Sequence, residues 1–134
     1  MPTEKASIGQ PFPVGDVDAR IDGITPVPTY ADGSQPDANM RVIEVRFAIF
    51  NPAPHSIEVS DNFYAYAELG DGSDTMGMGL TFYPLDSNFA VDGFSLGRGR
   101  TLYARFDTEI PATSEPTSLV VLGPADTSRV RIPL

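Results

Sequence analysis

Few residues in this chain are of types and spacings that do chemistry. The single histidine, His55, stands in the turn Asn51-Pro52-Ala53-Pro54-His55, with Ser56 and Glu58 as its nearest polar companions. Nucleophilic catalysis of the Ser/His/Asp kind needs a base oriented beside an activated hydroxyl. A histidine in a Pro-rich turn reads instead as a loop residue exposed to water. Cysteine is absent, which removes thiolate nucleophiles, thiolate metal sites and disulfides. Zinc on His55 would have only carboxylates to complete its shell. Asp71-Gly72-Ser73-Asp74 sets oxygen ligands around a glycine turn, a fragment of a calcium loop without the remaining spacing or the bidentate Glu of an EF-hand. Asp71 and Asp74 are the candidate metal residues. Asp16, Asp18 and Asp22, with Asp32 and Asp37 from a later loop, would have to converge in space to make another calcium site. Loop aspartates more often cap turns. No cofactor other than calcium is expected.

Gly97-Arg98-Gly99-Arg100 has the glycine amides and guanidinium groups that bind oxyanions. It lacks the strand-loop-helix setting and the Lys-Ser/Thr pair of a nucleotide loop, and a hairpin turn explains it. Glu44 and Glu68 are strand carboxylates on an outward register. Paired carboxylates can cleave glycosides when their proton affinities are split, but cross-strand partners Arg46, Arg105 or Arg131 would make these two into salt-bridge rows. The feature of most interest is a set of outward tyrosines: Tyr64, Tyr66, Tyr83 and Tyr103. Tyrosine on a sheet face stacks on sugar rings or anchors a protein interface with little entropy to lose. Loops or a packed subunit covering those faces would account for them equally. The candidate contact residues are Tyr64, Tyr66, Tyr103 and Arg105.

The elements that must position these residues read as strands. In Met40 to Phe50, Ile43, Val45, Phe47 and Ile49 alternate with Val42, Glu44, Arg46 and Ala48, the period of a half-buried central strand. Val14, Val17, Ala19, Ile21 and Ile24 give a broken alternation, consistent with an edge strand containing a bulge. Ile57 to Val59 is a short strand. Phe63, Ala65, Ala67 and Leu69 alternate with Tyr64, Tyr66 and Glu68; Met76, Met78, Leu80 and Phe82 alternate across two glycines. Leu102, Ala104 and Phe106 alternate with Tyr103, Arg105 and Asp107. Leu119 to Leu122 is a continuous apolar run, and Val130 and Ile132 close the set. Tyr30 to Asn39 is a loop. No stretch holds a 3.6-residue apolar period over three turns, so no long helix is expected, with one turn near Leu85 to Asn88. Residues 1–10 are polar and aperiodic and read as a mobile leader; residues 11–134 read as one domain.

Length and composition agree with this. A chain of 134 residues, 41% apolar, with eight Phe and five Tyr, can build a core without staples. Its 12 Gly and 13 Pro are punctuation for frequent reversals. Nine basic residues against eighteen acidic give a net charge of −9, the wrong sign for gathering phosphates, so nucleic acid is not an expected partner. No apolar run approaches membrane-spanning length, and the first ten residues hold no apolar signal core.

The order of segments resembles a family of immunoglobulin-like domains of unknown function in bacterial surface lipoproteins and secreted antigens, especially Gram-positive and actinobacterial; the mycobacterial immunoprotective extracellular protein has a similar sandwich. The matching segments are Ile8-Gly9-Gln10, Val42 to Asn51, Asp61-Asn62-Phe63, Gly99 to Pro111, Leu119-Val120-Val121-Leu122 and Val130 to Leu134. The resemblance implies an all-β, immunoglobulin-like antiparallel sandwich of seven or eight strands, located outside the cell or at its surface. It carries over no catalytic motif, and this sequence departs from it in showing neither an export signal nor a lipid-anchor cysteine. The function expected is a non-catalytic module that mediates protein interaction or acts as a spacer. Two alternatives stand beside it: a carbohydrate- or calcium-binding accessory domain, and a structural subunit of a virion or filament whose chain ends add strands to neighbours. A protein or a glycan is the partner class, and an enzyme is not expected.

Overall fold

The computed structural model describes residues 3–59, 64–75, 78–79, 83–85, 95–123 and 128–134, with 78–79 described in their backbone alone. These form twelve strands: β1 (Glu4–Lys5), β2 (Phe12–Val14), β3 (Val17–Val27), β4 (Met40–Phe50), β5 (Ile57–Glu58), β6 (Tyr64–Leu69), β7 (Met78–Gly79), β8 (Tyr83–Pro84), β9 (Ser95–Leu96), β10 (Thr101–Pro111), β11 (Pro116–Leu122) and β12 (Arg129–Pro133). Five of these strands are two residues long and seven are longer; the strands expected from alternation include the two-residue β5 and β7, and β1, β8 and β9 come in addition to them. No helix occurs among the described residues, and none there is long and apolar enough to cross a membrane.

Two five-stranded sheets face each other, one in the order β1-β12-β11-β6-β7 and the other β2-β3-β4-β10-β8, with β5 and β9 as a separate pair. They are called the β6 sheet and the β10 sheet below. All pairings are antiparallel except β1 with β12. The centre is β4, paired along its length with β3 and β10. Its inward residues Ile43, Val45, Phe47 and Ile49 are buried. Phe47 packs its ring 5.7 Å from that of Phe106, tilted by 52°, an arrangement aromatic pairs favour. From the opposite sheet Ala65, Ala67, Leu69, Leu119, Val121, Val130 and Ile132 close the core. Burying each larger chain of this kind is worth about 1.5–3 kcal/mol.

The broken alternation of Val14 to Ile24 resolves into two strands and one bulge. Gly15 and Asp16 make a two-residue hairpin between the paired Val14 and Val17, with Gly15 at φ 57°. In β3 the register slips between Ile21 and Gly23. One extra residue there returns Ile24 to the inward face opposite Val45, as a bulge does. The strand is also not an outer edge along its first half, where β2 covers it.

The stretch expected to be a mobile leader packs from Glu4 onward. Glu4 and Lys5 pair in parallel with Val130 and Arg131. The Ala6 amide donates to the Arg131 carbonyl at 3.1 Å, Ala6 is buried in the core, and the Gly9 amide donates to the Ile21 carbonyl at 2.8 Å. Low hydropathy misleads here, because backbone pairing holds the segment and needs few apolar side chains. The expected turn near Leu85 reaches the described residues only at Leu85, which is in a turn; its remainder, with Met76, Leu80, Phe82, Phe63 and Asp61-Asn62, lies outside them.

Candidate binding face

The four candidate contact residues do not share a surface. Tyr64 and Tyr66 alternate with buried Ala65 and Ala67 on β6, whereas Tyr103 and Arg105 alternate with buried Leu102, Ala104 and Phe106 on β10. Both pairs point away from the core, but from different sheets, and so toward opposite sides of the sandwich. Strand alternation says which side chains leave the core; it does not say which sheet a strand joins.

On the β6 sheet the outward residues are spent on one another. Val120 stands between Tyr66 and Arg131 on this face and is fully buried, so its neighbours roof it. Glu68 accepts from Arg131 Nε at 2.6 Å and Nη2 at 3.2 Å, and from the Ser118 hydroxyl. These bonds, the Arg131 contact foremost, hold the Glu68 carboxyl below its usual range. Tyr64 and Tyr66 are both half-buried. Among the described residues, Glu68, Arg131 and Ser118 thus form one hydrogen-bonded cluster on this face.

On the β10 sheet the arrangement varies along the strands. At one end, the Tyr30 to Asn39 loop folds over β10. Asp107 accepts from the Ala31 amide at 2.6 Å, Glu109 accepts from the Asp37 amide at 3.3 Å, and Val42 is fully buried although it occupies an outward register. Burial pushes the Asp107 carboxyl up, with Glu44, its directly opposite neighbour, adding to the shift. Burial and a hydrogen bond to Glu109 likewise raise the Tyr30 phenol well above its ordinary range. At mid-strand, Arg105 is only 13% exposed. Its Nε lies 3.8 Å from Glu44, its Nη1 donates to the Leu85 carbonyl at 3.4 Å, and its guanidinium carbon sits 5.9 Å from the Tyr83 ring centre. Arg105 is therefore a strut inside the face, with β8 and its turn running alongside it. Glu44 also holds Arg46, two residues along its own strand, at 2.9 Å; of the partners expected across strands, Arg105 meets Glu44 and Arg131 meets Glu68.

At the far end the face is open. Tyr103 is 52% exposed and Phe50 is 38% exposed. They border a groove of about 320 Å³ with Pro11, Asp18, Arg20 and Thr101 around it and Ala19 and Ala48 below. Arg20 and Ala48 share a cross-strand row with Tyr103. Asp22 orients the Arg20 guanidinium, accepting from Nε at 2.5 Å and Nη2 at 3.3 Å. Such a site offers two aromatic surfaces beside a fixed donor-acceptor pair. Phe50 and Arg20 were readable by the rule that singled out Tyr103, since both hold outward positions in alternating strands.

The remaining candidates are structural. Asp71 Oδ1 accepts from the Ser73 amide at 2.9 Å and from its hydroxyl at 2.5 Å, capping its own turn; these bonds lower its carboxyl's proton affinity. Asp74 forms an isolated bridge with Glu68. Among the described residues no three of His, Asp and Glu gather closely enough to hold a metal. His55 is exposed, its Nδ1 3.0 Å from the Ser56 carbonyl. Gly97 to Arg100 is a turn, closed by the Arg100 amide donating to Gly97 at 3.1 Å, with Gly99 at φ 70°. It is anchored by fully buried Asn51, whose amide nitrogen donates to the carbonyls of His55 and Leu96, both at 2.8 Å.

The chain matches no protein-family model and no curated protein at significance. Two solved structures are similar. One is an uncharacterized β-sandwich protein from Clostridium difficile, at TM-score 0.72 and 16% identity over 99% of this chain and 95% of that one. The other is the yjhA protein from Bacillus subtilis, at TM-score 0.59 and 14% identity over 94% of this chain and 98% of that one. Both likenesses are of fold: the chain is a β-sandwich.

Proposed function

We propose that this β-sandwich is a non-catalytic binding module, and that it takes hold of a macromolecular partner with the open end of its β10 sheet, at Tyr103, Phe50 and Arg20. One observation carries the reading: two aromatic side chains, Tyr103 and Phe50, stand exposed at the edge of the same groove. Exposed aromatics beside an oriented Arg-Asp pair are the usual anchors of recognition surfaces. The charged groups elsewhere on the face support a non-catalytic role, since Glu44, Arg46, Arg105 and Asp107 are engaged in holding strands and a loop together. A place at the cell surface or outside the cell follows from the sequence resemblance to bacterial surface and secreted immunoglobulin-like domains.

The test is capture from envelope and secreted fractions of the source organism, comparing the wild-type domain with Tyr103→Ala/Phe50→Ala. A protein or glycan enriched by the wild type and lost in the double variant supports the reading. Equal enrichment by both contradicts it.

A further inference from the structure

The open end of the β10 sheet is built from two cross-strand rows. Asp18, Phe50 and Thr101 stand opposite one another in the first, and Arg20, Ala48 and Tyr103 in the second, all on outward registers. The middle of the second row is small. Ala48 therefore makes a floor, with Arg20 on one side of it, Tyr103 on the other and Phe50 in the next row, around the groove of about 320 Å³. Pockets that hold small molecules begin at about this size. The polar walls are open to a ligand, since the side chains of Arg20 and Asp22 are 37% and 33% exposed.

The charged groups here are set against one another. Asp22 takes two of the five N–H donors of Arg20. That bond is the main cause of the guanidinium's tightened hold on its proton, with the Tyr103 phenol, across Ala48, adding to it. An anion in the groove meets Asp18 and Asp22, and a cation meets Arg20. Donors and acceptors held side by side match hydroxyl groups, which both donate and accept. The exposed rings of Tyr103 and Phe50 match the flat C–H face of a pyranose with equatorial hydroxyls, because the face of an aromatic ring is negative. A protein partner fits less well. A standard protein interface takes about 20–30 residues a side, and the open stretch of this face ends at Arg105, which Glu44 and the Leu85 carbonyl hold inside it.

Given the proposed function, on which this assignment rests, we propose that the Tyr103 groove binds a neutral glycan chain of equatorial, β-linked hexose rings. One ring stacks on Tyr103 over Ala48 and bonds its hydroxyls to the Arg20–Asp22 pair, and Phe50 takes the neighbouring ring.

The test is calorimetric titration of the intact chain at neutral pH with cellohexaose, with chitohexaose, and with cellohexaose oxidised to a carboxylate at each C6. It compares wild type with Tyr103→Ala, Tyr103→Phe, Arg20→Met and, on the opposite sheet, Tyr66→Ala. Saturable binding of a neutral hexamer is expected, weakened about tenfold or more in Tyr103→Ala and in Arg20→Met, little changed in Tyr103→Phe and Tyr66→Ala, and weaker for the oxidised chain. The absence of saturable binding to both neutral hexamers overturns the proposal, as does equal affinity for the oxidised chain, affinity undiminished in Tyr103→Ala or Arg20→Met, or an equal loss in Tyr66→Ala. If both neutral hexamers fail while Tyr103→Ala/Phe50→Ala abolishes capture of a protein from envelope or secreted fractions, the glycan assignment falls and the recognition surface stands. If that capture fails as well, both fall.

Discussion

Asp107 and Glu68 are both carboxylates on outward registers of strands, and their surroundings push them in opposite directions. Asp107 is buried beneath the Tyr30 to Asn39 loop, opposite Glu44, and its carboxyl is raised. A raised folded value means the ionised form is disfavoured in the folded state. The stability this group lends is complete below the unfolded carboxylate range, and it is lost as pH rises through the folded value. Asp107→Asn keeps an oxygen for the Ala31 amide and removes the charge. It should raise Tm by a few degrees at neutral pH, with the gain vanishing below about pH 4. Glu68 is lowered by Arg131 and Ser118, so its contribution is present above the unfolded range and lost as pH falls through the folded value. Glu68→Gln should lower Tm at neutral pH and converge with wild type in acid. Thermal melts of both variants from acid to neutral pH check the pair; like-signed changes at neutral pH would contradict it.

At the scale of elements, the same turn occurs twice. In Tyr30-Ala31-Asp32-Gly33-Ser34 the glycine amide donates to Tyr30 at 2.9 Å and the Tyr30 amide to Ser34 at 3.0 Å. In Leu69-Gly70-Asp71-Gly72-Ser73 the corresponding bonds are 3.0 and 2.8 Å. In both, Asp accepts from the Ser amide and hydroxyl, and Gly stands at φ 89° or 90°. Glycine takes that conformation without strain where a residue with a Cβ does not, and a Cβ added at either position would meet nothing within 4 Å. Gly33→Ala and Gly72→Ala should therefore each cost about 1–2 kcal/mol. Gly23→Ala, with ordinary φ and open space, should change stability by less than about 0.5 kcal/mol. Urea midpoints of the three variants test this.

Much of this level was legible in the sequence. The bounds of β4 followed from Ile43, Val45, Phe47 and Ile49, because period 2 is imposed locally by the pleat. The bulge followed from Ile21 and Ile24, three apart. The pairing of β1 with β12 was not legible, since Glu4 and Lys5 contribute backbone bonds across more than a hundred residues of chain. Removing residues 1–10 should accordingly destabilise the domain by on the order of 1–3 kcal/mol through lost backbone bonds and Ala6 burial. A truncated domain with an unchanged denaturation midpoint would contradict the packed arrangement.

At the scale of the molecule, the candidate site was half legible. Alternation places Tyr64, Tyr66, Tyr103 and Arg105 outward, but assigning strands to sheets takes long-range pairing, and that pairing divides them. One outer face is roofed by Tyr66, Glu68 and Arg131; the other is covered at one end by a loop, braced by Arg105 in the middle and open at Tyr103. In the proposed function this open end alone meets the partner. A photo-crosslinking amino acid placed at position 103, and separately at position 66, tests it by irradiation with cell-surface fractions. A discrete adduct is expected from position 103 and none from position 66. An adduct from position 66, or none from 103, would contradict it.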